Sequence, residues 1–202
     1  MLTDASNIHQ ITVNGITFDL ARVGKTFSNG WGLYQGQLNH NDSQAPAGVS
    51  RATVWNGSNN VTVGVLSVSS NPSDKNNQHT QDFAFFNGKF TDINQIPQHG
   101  SIKYDIRAAH HTYQNGNNVI QGILPPSVLT ANFDTKELSG TISRESQYGG
   151  NIKATIQSNG FEPKTGESTV VKGRFFGNNA TEEISGISQN NNTIGAFHGK
   201  QQ

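Results

Sequence analysis

The sequence predicts an all-β protein, an N-terminal antiparallel sheet followed by an eight-stranded antiparallel β-barrel. Three observations predict it. Short runs of alternating apolar and polar residues recur along the chain, bounded by Gly, Asn, Asp and Pro. Apolar residues at helical spacing are scarce. From residue 100 onward the runs become regular and supply about eight strands in roughly a hundred residues, enough to close a small barrel filled by side chains.

The elements follow in order. Ile11-Thr12-Val13 and Ile16-Thr17-Phe18 flank Asn14-Gly15, a pair that favours a two-residue hairpin turn. Further strands are predicted at 31–38, 51–56, 60–69 and 82–90. The stretches 39–50 and 70–81 are polar loops, and the second, with Pro72 amid Asn, Asp and Gln, reads as the most mobile segment. A boundary falls at 96–100, dividing the chain into domains 1–98 and 99–202. Beyond it Ile102, Tyr104, Ile106 and Ala108 share one strand face, as do Leu129, Ala131 and Phe133, and then Ile152, Ala154 and Ile156. Later strands are predicted at 138–143, 169–176, 183–188 and 193–198. One helical turn is predicted at 178–183, capped by Asn179 with Glu182 three residues on.

Composition narrows the function. The 202 residues carry 14 basic and 14 acidic side chains and no net charge, which argues against a nucleic-acid partner. No apolar run approaches the roughly 20 residues that span a bilayer. Eleven Phe, four Tyr and two Trp at zero net charge indicate a folded chain, although only 32% of it is hydrophobic. The absence of cysteine excludes disulfides, thiolate metal sites, a Cys nucleophile and a lipidated N-terminal Cys in these residues. Residues 1–10 have neither the basic nor the apolar region of a signal peptide, and the Asn-rich, charge-poor composition favours an exported chain whose signal has been removed.

Motifs for catalysis are missing. Val23-Gly24-Lys25-Thr26 resembles the end of a phosphate loop, but Asp19 stands where that loop needs its first Gly. No nucleophile elbow or zinc-protease motif occurs, so an enzyme is not expected. The histidines are the polar set of most interest: His9, His40, His79, His99, His110, His111 and His198. Without cysteine, a soft metal or haem iron would be held by imidazole. His110 shares parity with Tyr104 and points inward, so the adjacent His111 points out and the two do not chelate. His99 stands at the domain junction, where ligand sites are common. Each histidine equally suits a plain hydrogen-bonded or exposed role. The aromatic stretches 31–34 and 83–90 suit either a pocket for a flat ligand or simple core.

The C-terminal half carries a resemblance. Gly173-Arg174-Phe175-Phe176-Gly177, followed by Ala180, Glu182, Glu183 and Gly186, resembles the signature of transferrin-binding-protein-B-like barrels. The last strand, 194–200, the strand–turn–strand unit 129–140 and the lead-in 96–104 resemble the same family in the same order. In this reading the glycines sit at tight strand ends, a helical turn plugs the barrel mouth, and only one of Phe175 and Phe176 fills the barrel.

The resemblance implies an exported protein of a Gram-negative bacterium, in a family holding lipoproteins for transferrin, haemoglobin or complement factor H as well as haemophilin-type haemophores. The short chain without a lipidated cysteine is similar to the haemophores, monomers secreted through a Slam-type system. That implies a handle-like N-terminal sheet that binds haem b for iron acquisition, taken from host haemoglobin or free haem and passed to an outer-membrane receptor. The axial-ligand candidates so implied are His99 and then His40, followed by His79 and His110. Arg22, Lys25 and Arg51 are candidates for the propionates, and Trp31 and Tyr34 for the porphyrin face. A ligand imidazole must stay neutral, so haem affinity is expected to weaken as pH falls through the histidine range. The alternative is a surface protein that binds a host protein without a cofactor.

Overall fold

A computed structural model describes residues 8–13, 16–20, 25–26, 31–35, 49–55, 57–69, 80–114, 118–143, 149–178 and 181–202. Three layers stack in it. The first is a hairpin of β1 (Gln10–Val13) and β2 (Ile16–Asp19), paired from Gln10↔Asp19 to Val13↔Ile16 as the Asn-Gly turn predicts. The second is a five-stranded antiparallel sheet in sequential order: β3 (Lys25–Thr26), β4 (Trp31–Gln35), β5 (Val49–Trp55), β6 (Val61–Ser69) and β7 (Thr80–Gly88).

The third layer is a closed antiparallel barrel of β8 (Ser101–Gln114), β9 (Asn118–Asn132), β10 (Glu137–Ile142), β11 (Gly150–Gln157), β12 (Gly160–Pro163), β13 (Val170–Phe176), β14 (Glu183–Gln189) and β15 (Thr193–Gln201). It closes where β15 pairs with β8 and β9 with β10. Closure leaves no sheet edge to template aggregation.

The barrel follows from strict alternation. Tyr104, Ile106, Ala108, Leu129, Ala131, Phe133, Ile152, Ala154 and Ile156 all point inward and are buried. They meet Phe161, Phe175 and Phe197, whose rings pack with centroids about 6 Å apart. The β8–β9 ladder slips by one residue where Ile106↔Ser127 gives way to Ala108↔Leu124. Pro125 and Pro126 occupy the slip; having no N–H to donate, they sit where a ladder bond is already lost.

β6, with the sequence VTVGVLSVS, is buried on both faces from Val61 to Val68. Its odd residues Val61, Val63 and Val65 join Phe86, Ala109, Ala196 and Phe176 in a cluster against the outside of the barrel. Leu66 and Val68 join Ala52, Val54, Phe85, Ile11 and Leu20 beneath the hairpin. Asn87 pins the hairpin, donating to the carbonyls of Gln10 at 2.9 Å and Ile8 at 3.3 Å.

Between sheet and barrel the chain runs along the end of β13, where Phe90 bridges to Phe176 and Thr91 N–H donates to the Phe175 carbonyl at 2.9 Å. One short 3-10 turn, Ile93–Gln95, precedes the barrel.

Two expectations about the signature need correction. No helix forms among the described residues of 178–183; Gly177 and Asn178 bend, and Thr181 adopts φ 75°. Buried Tyr104 donates its hydroxyl proton to the Thr181 carbonyl at 3.0 Å. Nor do the signature glycines all mark strand ends. A Cβ on Gly173 would lie 2.2 Å from the Phe161 ring, and one on Gly186 would lie 2.7 Å from the Phe197 ring. These two sit within strands because inward rings pass over them. Gly177 alone ends a strand, at φ 105°.

Candidate partner-binding face and the buried histidines

Strand order fixes where the long connections leave the sheet. Residues 36–48 and 70–79 both depart at one end, bounded by Gln35, Val49, Ser69 and Thr80. In sequence these two connections hold only three charged residues, Asp42, Asp74 and Lys75, among Asn, Gln, Ser and Gly. They also hold His40 and His79. The connections themselves lie outside the described residues, so the geometry of both histidines does too.

This end of the sheet is tied to one end of the barrel. His111, three residues before β8 ends, lies 3.5 Å from Thr53 Oγ1 through Nε2. Its Nδ1 lies 3.2 Å from Ser67 Oγ and 3.5 Å from Asp82 Oδ1, and Ser67 also donates to Asp82. The hydroxyl of Tyr113 completes the set around Asp82. Burial pushes the Asp82 carboxyl up, but the hydrogen bonds from His111, Ser67 and Tyr113 outweigh it and hold the group below its ordinary 3.8. Burial, together with the hydrogen bond to Asp82 and its charge, in turn pushes the Tyr113 phenol up to about 12.

A second polar cluster ties the opposite end. His198 Nε2 and Glu183 Oε2 are 2.7 Å apart, and the imidazole stacks on Trp55 with ring centroids 5.0 Å apart. Asn60 donates to Glu183 Oε1 at 3.1 Å. Here too burial raises the carboxyl, and hydrogen bonds from His198, Ser58 and Asn60 overcome it to lower Glu183 from 4.5.

Of the predicted site residues, His99 and His110 have described side chains, and these two do not come together. His99 is exposed at the start of the barrel, with Nδ1 3.0 Å from Asp134, which also accepts from Gly100 N–H. His110 lies inside the barrel near its other end, separated from His99 by about 30 Å of extended strand. Its Nδ1 is 2.9 Å from Thr112 Oγ1, and it borders a cavity of about 20 Å³ with Leu124, Ile142 and Ser188, room for one water. Burial, helped by the charge of His111, drops its pKa to about 4, so it is neutral at pH 7. Lys25, Trp31, Tyr34 and Arg51 are carried on β3, β4 and β5, with side chains outside the described set, and Arg22 falls outside it altogether. Among the described residues no three His, Asp or Glu side chains gather to hold a metal ion.

Sequence reasoning missed Asp82, Glu183, Ser67, Thr53 and Asn60 as partners of the histidines. Parity along β8 was the available signal. It places His111 outside the barrel, where burial requires a second layer with polar groups facing it.

The comparisons with known proteins match this architecture. A family model described as the C-lobe and N-lobe β-barrels of transferrin-binding protein B matches residues 96–201. No curated protein sequence matches the chain. Among solved structures, transferrin-binding protein B of Haemophilus parasuis Hp5 matches over the whole chain, with TM-score 0.64 and 15% identity, the chain spanning 42% of that protein. That of serogroup B Neisseria meningitidis matches 96% of the chain and 39% of its own length, at TM-score 0.64 and 18% identity. HpuA of Kingella denitrificans, solved in complex with human haemoglobin, matches 87% of the chain and 68% of its own length, at TM-score 0.55 and 15% identity. With the matched residues covering more than half of the sequence, the chain belongs to the transferrin-binding-protein-B β-barrel family.

Proposed function

We propose that the chain is a cell-surface or extracellular protein that binds an iron-carrying host protein through the loop end of its sheet, and that it acts without catalysis. One observation carries this reading. The two long, nearly uncharged connections leave the same end of a sheet that buried polar clusters fix to the barrel. A rigid scaffold presenting polar loops is a common arrangement for recognition. Haemoglobin is the first partner to test, because HpuA, a protein solved with haemoglobin, is spanned over 68% of its length. The hydroxyl–imidazole–carboxylate order of Thr53, His111 and Asp82 occurs in hydrolases, but Thr53 and His111 are fully buried, so substrate has no access.

A second reading keeps haem b as the ligand, with capture in the sheet, Slam-type export and transfer to an outer-membrane receptor. Its support is that His40 and His79 belong to the two connections leaving that same end. His99, tied to Asp134 beside the barrel, and His110, enclosed within it, fit this reading less well.

The test immobilises the chain and measures binding of human haemoglobin and of iron-loaded transferrin, while haemin is titrated separately by absorbance. Saturable binding of one carrier with a featureless haemin titration supports host-protein binding. A Soret band saturating at one equivalent, lost in His40→Ala or His79→Ala, supports the haem reading and overturns the first if neither carrier binds.

A further inference from the structure

The joint between sheet and barrel has an apolar middle and an ionisable pin at each end. The middle is Val61, Val63, Val65 and Phe86 against Ala109 and Phe176. One pin is Asp82 on β7 with His111 on β8, their side chains 2% and 0% exposed. The other is Glu183 on β14 with His198 on β15, 6% and 4% exposed, joined to the sheet side by Asn60 and Trp55. Each carboxylate is therefore removed from water and stabilised by groups of the opposite layer.

We propose that this joint is an acid-released latch: ionised Asp82 and Glu183 hold the sheet on the barrel, and their protonation lets the sheet lift while the barrel stays closed. A protonated carboxyl no longer accepts all of these hydrogen bonds, and it leaves buried donors of the opposite layer without their acceptor. The groups facing Asp82 are Ser67 on β6 and His111 and Tyr113 on β8, and Thr53 on β5 faces His111 from its other nitrogen. Those facing Glu183 are Ser58 and Asn60 before β6 and His198 on β15. In the ladder, Lys200 is the cross-strand neighbour of Glu183, and Arg107 that of His198.

Among the described residues the barrel core has no such carboxylate. Its interior groups are Phe161, Phe175, Leu129, Ile106 and their neighbours. Among the described residues His110 is the imidazole on that inner side, and its charging burdens the barrel rather than the joint. The carboxylates of the barrel's outer strands, Glu137 and Glu162, sit in partly exposed ion pairs that contribute little.

The sign follows from the two carboxylates. Both lie below their ordinary 3.8 and 4.5 in the folded protein, so their contribution is complete above those values and lost as pH falls through the folded ones. The latch stands whichever partner the loops bind.

Amide exchange, corrected for its intrinsic pH dependence, tests it on the unmodified chain. Below pH 4.5, β5–β7 are expected to lose protection while β10–β13 keep it, reversibly on return to neutral pH. A Trp31→Phe variant leaves Trp55 as the one indole, and its emission is expected to change with the sheet and not with the barrel. The double variant Asp82→Asn, Glu183→Gln is expected to displace that midpoint by at least about one pH unit. Coincident loss of protection in sheet and barrel overturns the proposal, as does an unmoved midpoint in a folded double variant. Should the double variant fail to fold, the exchange pattern of the unmodified chain decides.

Discussion

Phe175 and Phe176 are adjacent in sequence and belong to different cores. Phe175 fills the barrel with Phe133 and Phe161, and Phe176 meets Phe86 and Phe90 at the joint. Replacing Phe175 by Ala is expected to cost about 3–5 kcal/mol, read as loss of barrel stability by denaturant unfolding. Phe176→Ala is expected to cost a similar amount but to loosen the sheet, leaving amide protection in β10–β13 intact. Gly173→Ala is expected to be as harmful as either, about 3 kcal/mol or more, because the added methyl group meets both the Phe161 ring and the Ser185 carbonyl. At His110 the folded pKa of about 4 lies below the ordinary 6.5, so the unfolded chain binds more protons between those values. Stability contributed at this site therefore falls as pH drops from 6.5 to 4 and is level below that. NMR titration of the imidazole is expected to show a neutral ring at pH 5.5, and a ring already charged there would contradict the assignment. Parity made the split between Phe175 and Phe176 legible in the sequence. The role of Gly173 was not, since it depends on a ring twelve residues away that crosses the neighbouring strand.

The strands were largely legible, because apolar alternation survives wherever one face meets a core and the other meets water. Predicted strands at 138–143, 169–176 and 183–188 correspond to Glu137–Ile142, Val170–Phe176 and Glu183–Gln189. The same logic hides the layering, since β6 alternates at Val61, Val63 and Val65 as if its other face met water, yet Thr62, Leu66 and Val68 on that face are buried too. The turn at 178–183 failed for a different reason. Its Asn and Glu spacing resembles a helix cap, but Tyr104 takes the Thr181 carbonyl, and Glu183 is drawn into β14 by His198 and Asn60. The hairpin layer offers a direct test. Asn87→Ala removes two hydrogen bonds to backbone carbonyls of the hairpin and is expected to cost about 1–3 kcal/mol. Faster amide exchange confined to β1 and β2 is the expected signature.

For the molecule as a whole, the barrel and its signature stood in the sequence, and the candidate site stood there only in part. Histidines drew attention as ligands, yet His111 and His198 serve as pins between layers and His110 as an enclosed neutral group. A histidine is chemically versatile in sequence, and only the opposite layer reveals how its nitrogens are used. The loop end of the sheet became visible once strand order placed Gln35, Val49, Ser69 and Thr80, which bound residues 36–48 and 70–79, at one end. Since those connections carry few charges, partner affinity is expected to change less than about threefold between low and moderate salt, whereas electrostatically steered association falls steeply. The central claim is that these loops hold the partner. Its most direct test compares haemoglobin binding by the parent chain with that of a chain in which 36–48 and 70–79 are replaced by Gly-Ser links. The account predicts saturable binding by the parent and at least about a tenfold loss on replacement, with barrel exchange protection unchanged. Equal affinity of the two chains would contradict it.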